Sequence, residues 1–154
     1  MIHYVKGNLL ESKAEALVNT VNTVGVMGKG IALQFKEAFP NNFRVYYNAC
    51  RKKELKIGDV LVVKDSNLTS GEKLIVNFPT KTHWRLPSEY SYIELGLQSL
   101  RKEIESRHIR SIAIPPLGSH NGGLDWFRVK KMIEQSLSAV DCDIYLYEPS
   151  TAIV

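Results

Sequence analysis

The segment NTVNTVGVMGKGIALQFK, residues 19–36, brings together the three signals that decide the fold. It begins inside an apolar run, which predicts a buried strand that ends in a polar loop. Glycines follow at positions 25, 28 and 30. Residues 31–39 then carry apolar side chains at the spacing of a helix. A buried strand, a glycine-rich loop and a helix in this order are typical of an α/β protein that binds its ligand beyond the carboxyl end of the strand.

The same alternation of strand and helix continues on both sides of this segment. The apolar patterns predict six strands, at residues 2–5, 16–21, 59–63, 74–78, 111–114 and 144–147. Helices are predicted at residues 31–39 and 43–50, after Ser88 and after Asp125, and Ser and Asp are both suited to cap a helix. Strands that alternate with helices indicate an α/β sandwich around a mixed, largely parallel sheet.

The composition is that of one globular domain. The chain has 154 residues, of which 44% are hydrophobic, and no apolar run approaches the roughly 18 residues of a membrane span. The N-terminus MIHYVKGNLL lacks the apolar core of a secretion signal. We therefore expect a single cytoplasmic domain over residues 1–154, with no membrane partner. The final residues, PSTAIV, are interpreted as a tail, and a natural chain could continue past Val154.

Cysteine and histidine give no sign of a metal site. The two cysteines, Cys50 and Cys142, form no CxxC pair, and the four histidines show no metal-ligand spacing. We expect both cysteines to be buried packing residues, and we expect no metal and no cofactor.

The charge balance is mildly basic. Lys and Arg number 20 against 16 Asp and Glu, a net charge of +4, which permits contact with a polyanion without requiring it. The densest basic cluster comprises Arg51, Lys52, Lys53 and Lys56. We interpret it as a solvated helix end, and a phosphate-contact patch is the alternative.

Two glycine-rich loops each follow a buried strand and precede a helix. The first reads GVMGKG (25–30) and the second reads LGSHNGGL (117–124). Glycines let backbone N–H groups approach a phosphate, and a helix N-terminus adds partial positive charge. The first loop matches neither GxGxxG nor GxxxxGK[ST], so neither a dinucleotide fold nor a P-loop is indicated. The loops alone indicate a diphosphate-containing ligand, with plain turn glycines as the alternative.

The amino-acid sequences of these loops resemble those of the macrodomain family. NTVNTVGVMGKGIALQFK (19–36) resembles the family's asparagine-rich strand end and first loop, and IPPLGSHNGGLDW (114–126) resembles its second loop. With NFPTKTHWR (77–85), the chain most resembles the DarG group, antitoxins that remove ADP-ribose from DNA thymidine, and the related terminal ADP-ribose protein glycohydrolase. The resemblance implies a three-layer α/β/α sandwich with a mixed, mostly parallel six-stranded sheet.

The resemblance also implies which residues bind ADP-ribose. From the segment after the first strand, the end of the second strand and the first loop they are Gly7, Asn8, Leu9, Thr20, Asn22, Gly25, Val26, Met27, Gly28, Lys29, Gly30 and Ile31. From the second loop they are Pro116, Leu117, Gly118, Ser119, Asn121, Gly122, Gly123 and Leu124. Asn22 matches the family asparagine on the distal ribose, where an amide can both donate and accept. Asn8 stands where many macrodomains have an aspartate for the adenine amino group.

Lys81 matches the family lysine placed near the anomeric carbon of the distal ribose. Pro79 and Pro87 are predicted to bracket the loop that contains it. A neutral amine there could attack the anomeric carbon, whereas an ammonium could protonate or stabilise the leaving group. An exposed loop lysine is the structural alternative.

Asp125 matches the catalytic aspartate of the protein glycohydrolase relative, so the catalytic set implied is Lys81, Asn22 and Asp125. A carboxylate could activate the lysine or water, and a helix cap is its competing role. The loops offer no evident second carboxylate. This favours a leaving group that departs as a stable anion, such as a thymine ring nitrogen or a glutamate ester.

His83, Trp84 and Arg85 adjoin Lys81 and are the candidate DNA contacts. A ring and a guanidinium could stack on a base and hold a phosphate, while packing of the loop is the alternative for Trp84. His120 is expected to line the site at most.

The function that follows is hydrolysis of the bond between ADP-ribose and a DNA base, in DNA repair by a DNA-binding antitoxin. Its expected partners are ADP-ribosylated DNA and a cognate ADP-ribosyltransferase toxin, and we expect a monomer. The alternatives are removal of ADP-ribose from protein glutamate or small derivatives, a non-catalytic reader of ADP-ribose, and a generic dinucleotide-binding domain.

Overall fold

The computed structural model describes residues 1–149, and most of the predicted tail, residues 150–154, lies outside the described residues. Its strands are β1 (Ile2–Val5), β2 (Ala16–Asn22), β3 (Leu61–Asn67), β4 (Gly71–Lys81), β5 (Ser111–Ile114) and β6 (Asp143–Tyr147). Its α-helices are α1 (Gly30–Ala38), α2 (Pro40–Arg51), α3 (Tyr90–Ser106) and α4 (Trp126–Leu137). A 3₁₀ turn covers Leu9–Glu11.

The strands form one sheet in the order β1-β6-β5-β2-β4-β3. β3 runs antiparallel to β4, and every other neighbouring pair is parallel. The predicted six-stranded, mixed and mostly parallel sheet is therefore confirmed. Because β2, β4 and β5 are parallel, their carboxyl ends meet at one edge of the sheet.

Both faces of the sheet are covered by helices, which confirms the three-layer sandwich. Successive residues of β2 point to opposite faces, as in any strand. Ala16 and Val18 join the cluster that contains the buried faces of α3 and α4, whereas Leu17 joins Phe35 of α1 on the other face. Tyr46 and Cys50 of α2 form a third cluster with Val21 and Met27, near the carboxyl end of β2.

Two predicted strands differ from the observed ones by more than one residue at each end. The strand predicted at 59–63 is observed as Leu61–Asn67, and the strand predicted at 74–78 extends over Gly71–Lys81. The predicted loop bracketed by Pro79 and Pro87 therefore begins only after Lys81. Residues 61–67 continue into the hairpin because their backbone pairs with β4 in unbroken antiparallel register.

The prediction that Ser88 caps α3 is wrong. The residue at the cap position is Glu89, whose side chain makes no capping hydrogen bond. Ser88 lies one residue too early, and it is buried. Its backbone N–H donates to the Gly122 carbonyl oxygen at 3.0 Å instead, so it ties the start of α3 to the second glycine-rich loop.

Other local predictions are confirmed. Ile93, Leu97, Leu100 and Ile104 form the buried stripe of α3, and both cysteines are buried. Pro40 ends the α1 pattern and occupies the first turn of α2, where its missing N–H costs nothing. Within residues 1–149, no helix is both long and apolar enough to span a membrane.

Candidate functional site

A cavity of about 250 Å³ lies at the carboxyl edge of the sheet. It is enclosed by the ends of β2 and β4, by loop 1 (residues 23–29, between β2 and α1) and by loop 2 (residues 115–125, between β5 and α4). Loop 1 contributes three of the predicted site residues, Val26, Gly28 and Lys29, and Thr20, Asn22, Gly30 and Ile31 beside it also line the cavity. The two sequence segments predicted to share one site are therefore brought together.

Asn22 organises loop 1 from the end of β2. Its Oδ1 accepts the backbone N–H groups of Val24, Gly25 and Val26 at 3.1, 3.2 and 3.3 Å. Its Nδ2 donates to the Val26 carbonyl oxygen at 2.8 Å. The side chain is thus a template for the loop as well as part of the cavity wall. Since an amide nitrogen carries two protons, one N–H of Asn22 remains for a ligand.

Tyr46 of α2 holds Asn22 in this orientation. Its hydroxyl, which is fully buried, lies 2.8 Å from the Asn22 carbonyl oxygen and 3.0 Å from Oδ1, and it donates to them. Burial raises the pKa of this hydroxyl, so it stays a donor. With this contact the acceptor capacity of Oδ1 is used within the protein. The sequence predicts only that position 46 lies in a helix, and no local signal marks its hydroxyl contact.

A buried network of asparagine side chains, which the sequence did not predict, supports loop 1 from the core. Asn42 of α2 and Asn77 of β4 pair through both amides, at 3.1 and 2.8 Å. Asn19, directly opposite Asn77 in the sheet, donates weakly to Asn77 Oδ1 at 3.5 Å and to the Met27 sulfur at 3.8 Å. Met27 is buried and does not line the cavity, so it anchors loop 1 from within the core.

Lys81 ends β4 and stands opposite Asn22 in the sheet register. Both side chains line the cavity, as does Lys29 of loop 1. The Lys81 ammonium donates to the Trp84 carbonyl oxygen at a long 3.5 Å. Burial, and then the charge of Lys29, lowers the pKa of Lys81. Burial and a second cation nearby both act against the charged form of this lysine.

Loop 2 closes the cavity from the other side and depends on glycine. Gly118 has φ +66°, a conformation that favours glycine, and its carbonyl oxygen accepts the Leu124 N–H at 2.9 Å. A Cβ at Gly122 would collide with the Ser88 hydroxyl and the Gly118 carbonyl. A Cβ at Gly30 would meet the Asn121 amide at 3.6 Å, so the two loops approach each other across the cavity.

The predicted residues of loop 2 divide into two groups. Pro116, Gly118, Asn121 and Gly122 line the cavity, and so does His120. Leu117, Ser119, Gly123 and Leu124 do not line it. Leu117 is buried in the core, so its place is to anchor the loop.

Asp125 lies beyond the cavity lining and caps α4. Its carboxylate accepts the Arg128 N–H at 3.3 Å, and its own N–H donates to the Tyr90 hydroxyl at 3.1 Å. The structure thus gives Asp125 the helix-cap role, while its catalytic role stays a prediction.

Gly25 and the segment after β1 also lie outside the cavity lining. Gly7 and Asn8 are exposed, whereas Leu9 is buried. The Asn8 side chain accepts the Leu10 N–H at 3.1 Å and so caps the 3₁₀ turn. Contact between Asn8 and adenine stays a prediction.

The candidate DNA contacts form a small aromatic and cationic group at the mouth of the cavity. Trp84 lines the cavity and is 43% exposed. The His83 ring stacks 5.2 Å from the Trp84 ring, and the Arg85 guanidinium lies 4.6 Å from the same ring. Trp84 therefore presents a partly exposed ring that stacks with one aromatic neighbour and carries a guanidinium over it.

Comparisons with known proteins agree with this geometry. The model of the Macro domain family matches residues 18–133. The DNA ADP-ribosyl glycohydrolase of Thermus aquaticus is 51% identical over 150 residues, and that of Mycobacterium tuberculosis is 50% identical over 151 residues. Each match covers 97% of this chain. The chain spans 41% and 43% of the length of these two curated relatives.

Solved structures give the same result. The macrodomain of Mycobacterium tuberculosis DarG superposes with a TM-score of 0.93 at 50% identity, and the match covers 97% of this chain and 99% of that one. Thermosipho africanus DarTG in complex with ADP-ribose superposes with a TM-score of 0.91 at 34% identity, covering 99% of this chain and 43% of that one.

Proposed function

The chain belongs to the macrodomain family, and we propose that it binds ADP-ribose and hydrolyses the glycosidic bond that joins it to a DNA base, thymidine above all. The observation that carries this proposal is the placement of Lys81, at the end of β4, in the wall of a cavity enclosed by two glycine-rich loops. Similarity to proteins named DNA ADP-ribosyl glycohydrolase supports it.

The cavity suits a pyrophosphate between two sugars. Loop 1 leads directly into the N-terminus of α1, where backbone N–H groups and the helix dipole favour an anion. Loop 2 faces it across the cavity, and Lys29 adds a cation to the wall. We therefore place the diphosphate between the loops, with the distal ribose toward Asn22 and Lys81.

We propose that Lys81 acts as a neutral amine. The lowered pKa of its amine enlarges the fraction of this neutral form at a given pH. The nitrogen would attack the anomeric carbon as the bond from that carbon to the thymine ring nitrogen breaks, and the thymine would leave as an anion stabilised by its two carbonyls. Water would then release ADP-ribose and restore the lysine.

Asn22 and Asp125 take supporting roles in this proposal. Since the Oδ1 of Asn22 is engaged by loop 1 and Tyr46, the amide would serve the ribose as a donor through its remaining N–H. The Asp125 carboxylate would be the second catalytic group, and the same carboxylate caps α4. Its two roles therefore have to be separated by experiment.

The DNA strand would leave the cavity past Trp84, whose partly exposed ring and neighbouring Arg85 are suited to a base and a phosphate. A cognate ADP-ribosyltransferase toxin is the partner that this activity implies, because some enzyme must supply the modified base. We retain the proposals of a single domain, a monomer and a cytoplasmic location.

The test is release of ADP-ribose from a single-stranded oligonucleotide modified on one thymine. The wild type should release ADP-ribose and restore the unmodified strand, whereas Lys81→Ala should bind ADP-ribose without turnover. A peptide modified on glutamate, assayed in parallel, distinguishes a protein substrate. No release from DNA at high enzyme concentration, with release from the peptide, would overturn the assignment of the substrate.

A further inference from the structure

We propose that a second aromatic and basic surface beside the cavity holds single-stranded DNA next to the modified nucleotide. It consists of Tyr47, Arg51, Lys52 and Lys53, at the C-terminal end of α2, and is called the α2 surface below. This inference rests on the proposed function, since the DNA would be the strand that carries the ADP-ribosylated base.

The position of α2 brings this surface to the edge of the sheet that carries the cavity. Near its start, Asn42 contacts Asn77 in the middle of β4. One turn later, Tyr46 contacts Asn22 at the carboxyl end of β2. The helix therefore runs toward the carboxyl edge, and Cys50 in its last turn lies against Asn22 and Gly25 at the start of loop 1.

The α2 surface is exposed and is built against loop 1. Tyr47 is 41% exposed, and its ring lies 3.4 Å from the position that a Cβ at Gly25 would take. The Arg51 guanidinium lies 5.8 Å from the Tyr47 ring. Arg51, Lys52 and Lys53 are all exposed. In the part of the chain that the structure describes, none of these three cations forms a salt bridge with a carboxylate.

Loop 1 links the α2 surface to the aromatic group at the cavity mouth. The Thr23 hydroxyl of loop 1 donates to the Thr82 carbonyl oxygen at 2.9 Å, which ties the loop to the segment that carries Trp84. Val24, between these points, is 45% exposed. Loop 1 is thus flanked by two pairs of the same kind, Trp84 with Arg85 and Tyr47 with Arg51.

Single-stranded DNA is the occupant that this pattern fits. A splayed base can stack on the exposed part of the Tyr47 ring or on the guanidinium that lies over it, and the guanidinium supplies a cation for the adjacent phosphate. Duplex bases would have no free face for either ring. Basic residues at a helix C-terminus also complement the helix dipole. That role explains the charge of Arg51, but it does not explain an exposed aromatic ring placed between the charge and loop 1.

The binding test uses an unmodified single-stranded oligonucleotide of about 12 nucleotides, a length within the range that single-strand sites cover. Fluorescence anisotropy would give its Kd at several salt concentrations for the wild type and for Arg51→Gln/Lys52→Gln. The matched control is Lys13→Gln/Lys131→Gln, which removes the same charge from two exposed lysines, one before the amino end of β2 and one on α4.

Loss of two phosphate contacts should lower the slope of log K against log salt by about 1.4. The affinity gap between wild type and variant would then be about sevenfold larger at 50 mM than at 200 mM salt. Tyr47→Leu, which keeps an apolar contact with Gly25, should weaken binding roughly tenfold with the slope unchanged. A double variant with the slope of the control, at equal thermal stability, overturns the inference.

Turnover separates this inference from the proposed function. A single ADP-ribosylated thymidine nucleotide has no neighbouring nucleotides to contact the α2 surface, so Arg51→Gln/Lys52→Gln should hydrolyse it at the wild-type rate. If the wild type hydrolyses no modified substrate but the salt slope still falls in the variant, the proposed function fails and the DNA surface stands. If the wild type hydrolyses the modified substrate but the salt slope of the variant is unchanged, the proposed function stands and the DNA surface fails.

Discussion

At the scale of single residues, Lys81 is the group whose chemistry depends most on its neighbours. Burial and the charge of Lys29 both lower the pKa of its amine. Lowering the pKa enlarges the neutral fraction at a given pH, and only the neutral amine can attack a carbon atom. Lys29 therefore has two roles in the proposed function, as a cation near the diphosphate and as a group that enlarges the neutral fraction of Lys81.

Lys29→Gln tests the second of these roles. If Lys81 acts as a neutral amine, kcat rises with pH and levels off above the pKa of Lys81. The substitution removes a charge that lowers this pKa, so the pKa should rise and the rising part of the profile should move to higher pH. The measurement is kcat against pH at saturating ADP-ribosylated oligonucleotide. A profile that falls with rising pH would show that Lys81 acts as an ammonium acid.

Asp125→Asn separates the two roles of Asp125. Asn caps helices about as well as Asp, so thermal stability should change little. If the carboxylate also acts in catalysis, kcat should fall about a hundredfold or more, because the amide cannot accept a proton. Asp125→Ala is the control, since it should lose about 1 kcal/mol of stability with the cap. Full activity in Asp125→Asn would leave the cap as its only role.

At the scale of elements, the sequence predicts which segments form strands and helices better than it predicts where they end. The end of β4 is the clearest example. Pro79 was expected to stop the strand, yet the pairing with β2 continues to Lys81. The reason is that β3 pairs with β4 only as far as Asn77. Within residues 1–149, one side of β4 has no neighbouring strand beyond Asn77, so a missing N–H on that side breaks no ladder.

The polar contacts that shape loop 1 could not be predicted from the sequence. Tyr46 and Asn42 fit the ordinary spacing of a helix, and Asn77 lies within an apolar strand. Nothing near them in the sequence indicates their hydrogen bonds. Their partners are distant along the chain and become neighbours only in the folded state. The glycine loops were predictable because their signal is local, whereas a buried hydrogen-bond network depends on tertiary contacts.

Tyr46→Phe tests whether α2 positions loop 1. The change removes only the hydroxyl that donates to Asn22. Net hydrogen bonds contribute about 0.5–1.5 kcal/mol, so we expect the Kd for ADP-ribose to rise roughly three- to tenfold through a looser loop, with a smaller change in kcat. Tyr47→Phe is the matched control, because it removes a hydroxyl from the adjacent exposed ring. A loss of stability with an unchanged Kd would limit Tyr46 to a packing role.

At the scale of the whole molecule, the cavity joins the two helical layers across the sheet. Loop 1 leads into α1 on one face, and loop 2 leads into α4 on the other. Each loop is also tied to a further element, loop 1 through Asn22 to α2 and loop 2 through Gly122 to the start of α3. A ligand held between the loops would therefore contact elements from both helical layers, and these elements separate when the domain unfolds.

A ligand that binds only the folded state should consequently stabilise the whole domain. At about one hundred times its Kd, ADP-ribose should add about 2.7 kcal/mol, which corresponds to a rise in Tm of roughly 5–11 °C for a domain of this size. Scanning calorimetry or a dye-based melt at matched concentrations of ADP-ribose, AMP and NAD would measure it. AMP should give a smaller shift, because it lacks the second phosphate that loop 2 would hold. NAD should also give a smaller shift, because its nicotinamide occupies the anomeric position that faces Lys81. A shift with NAD equal to or larger than that with ADP-ribose would contradict this placement of the ligand and favour a dinucleotide-binding domain.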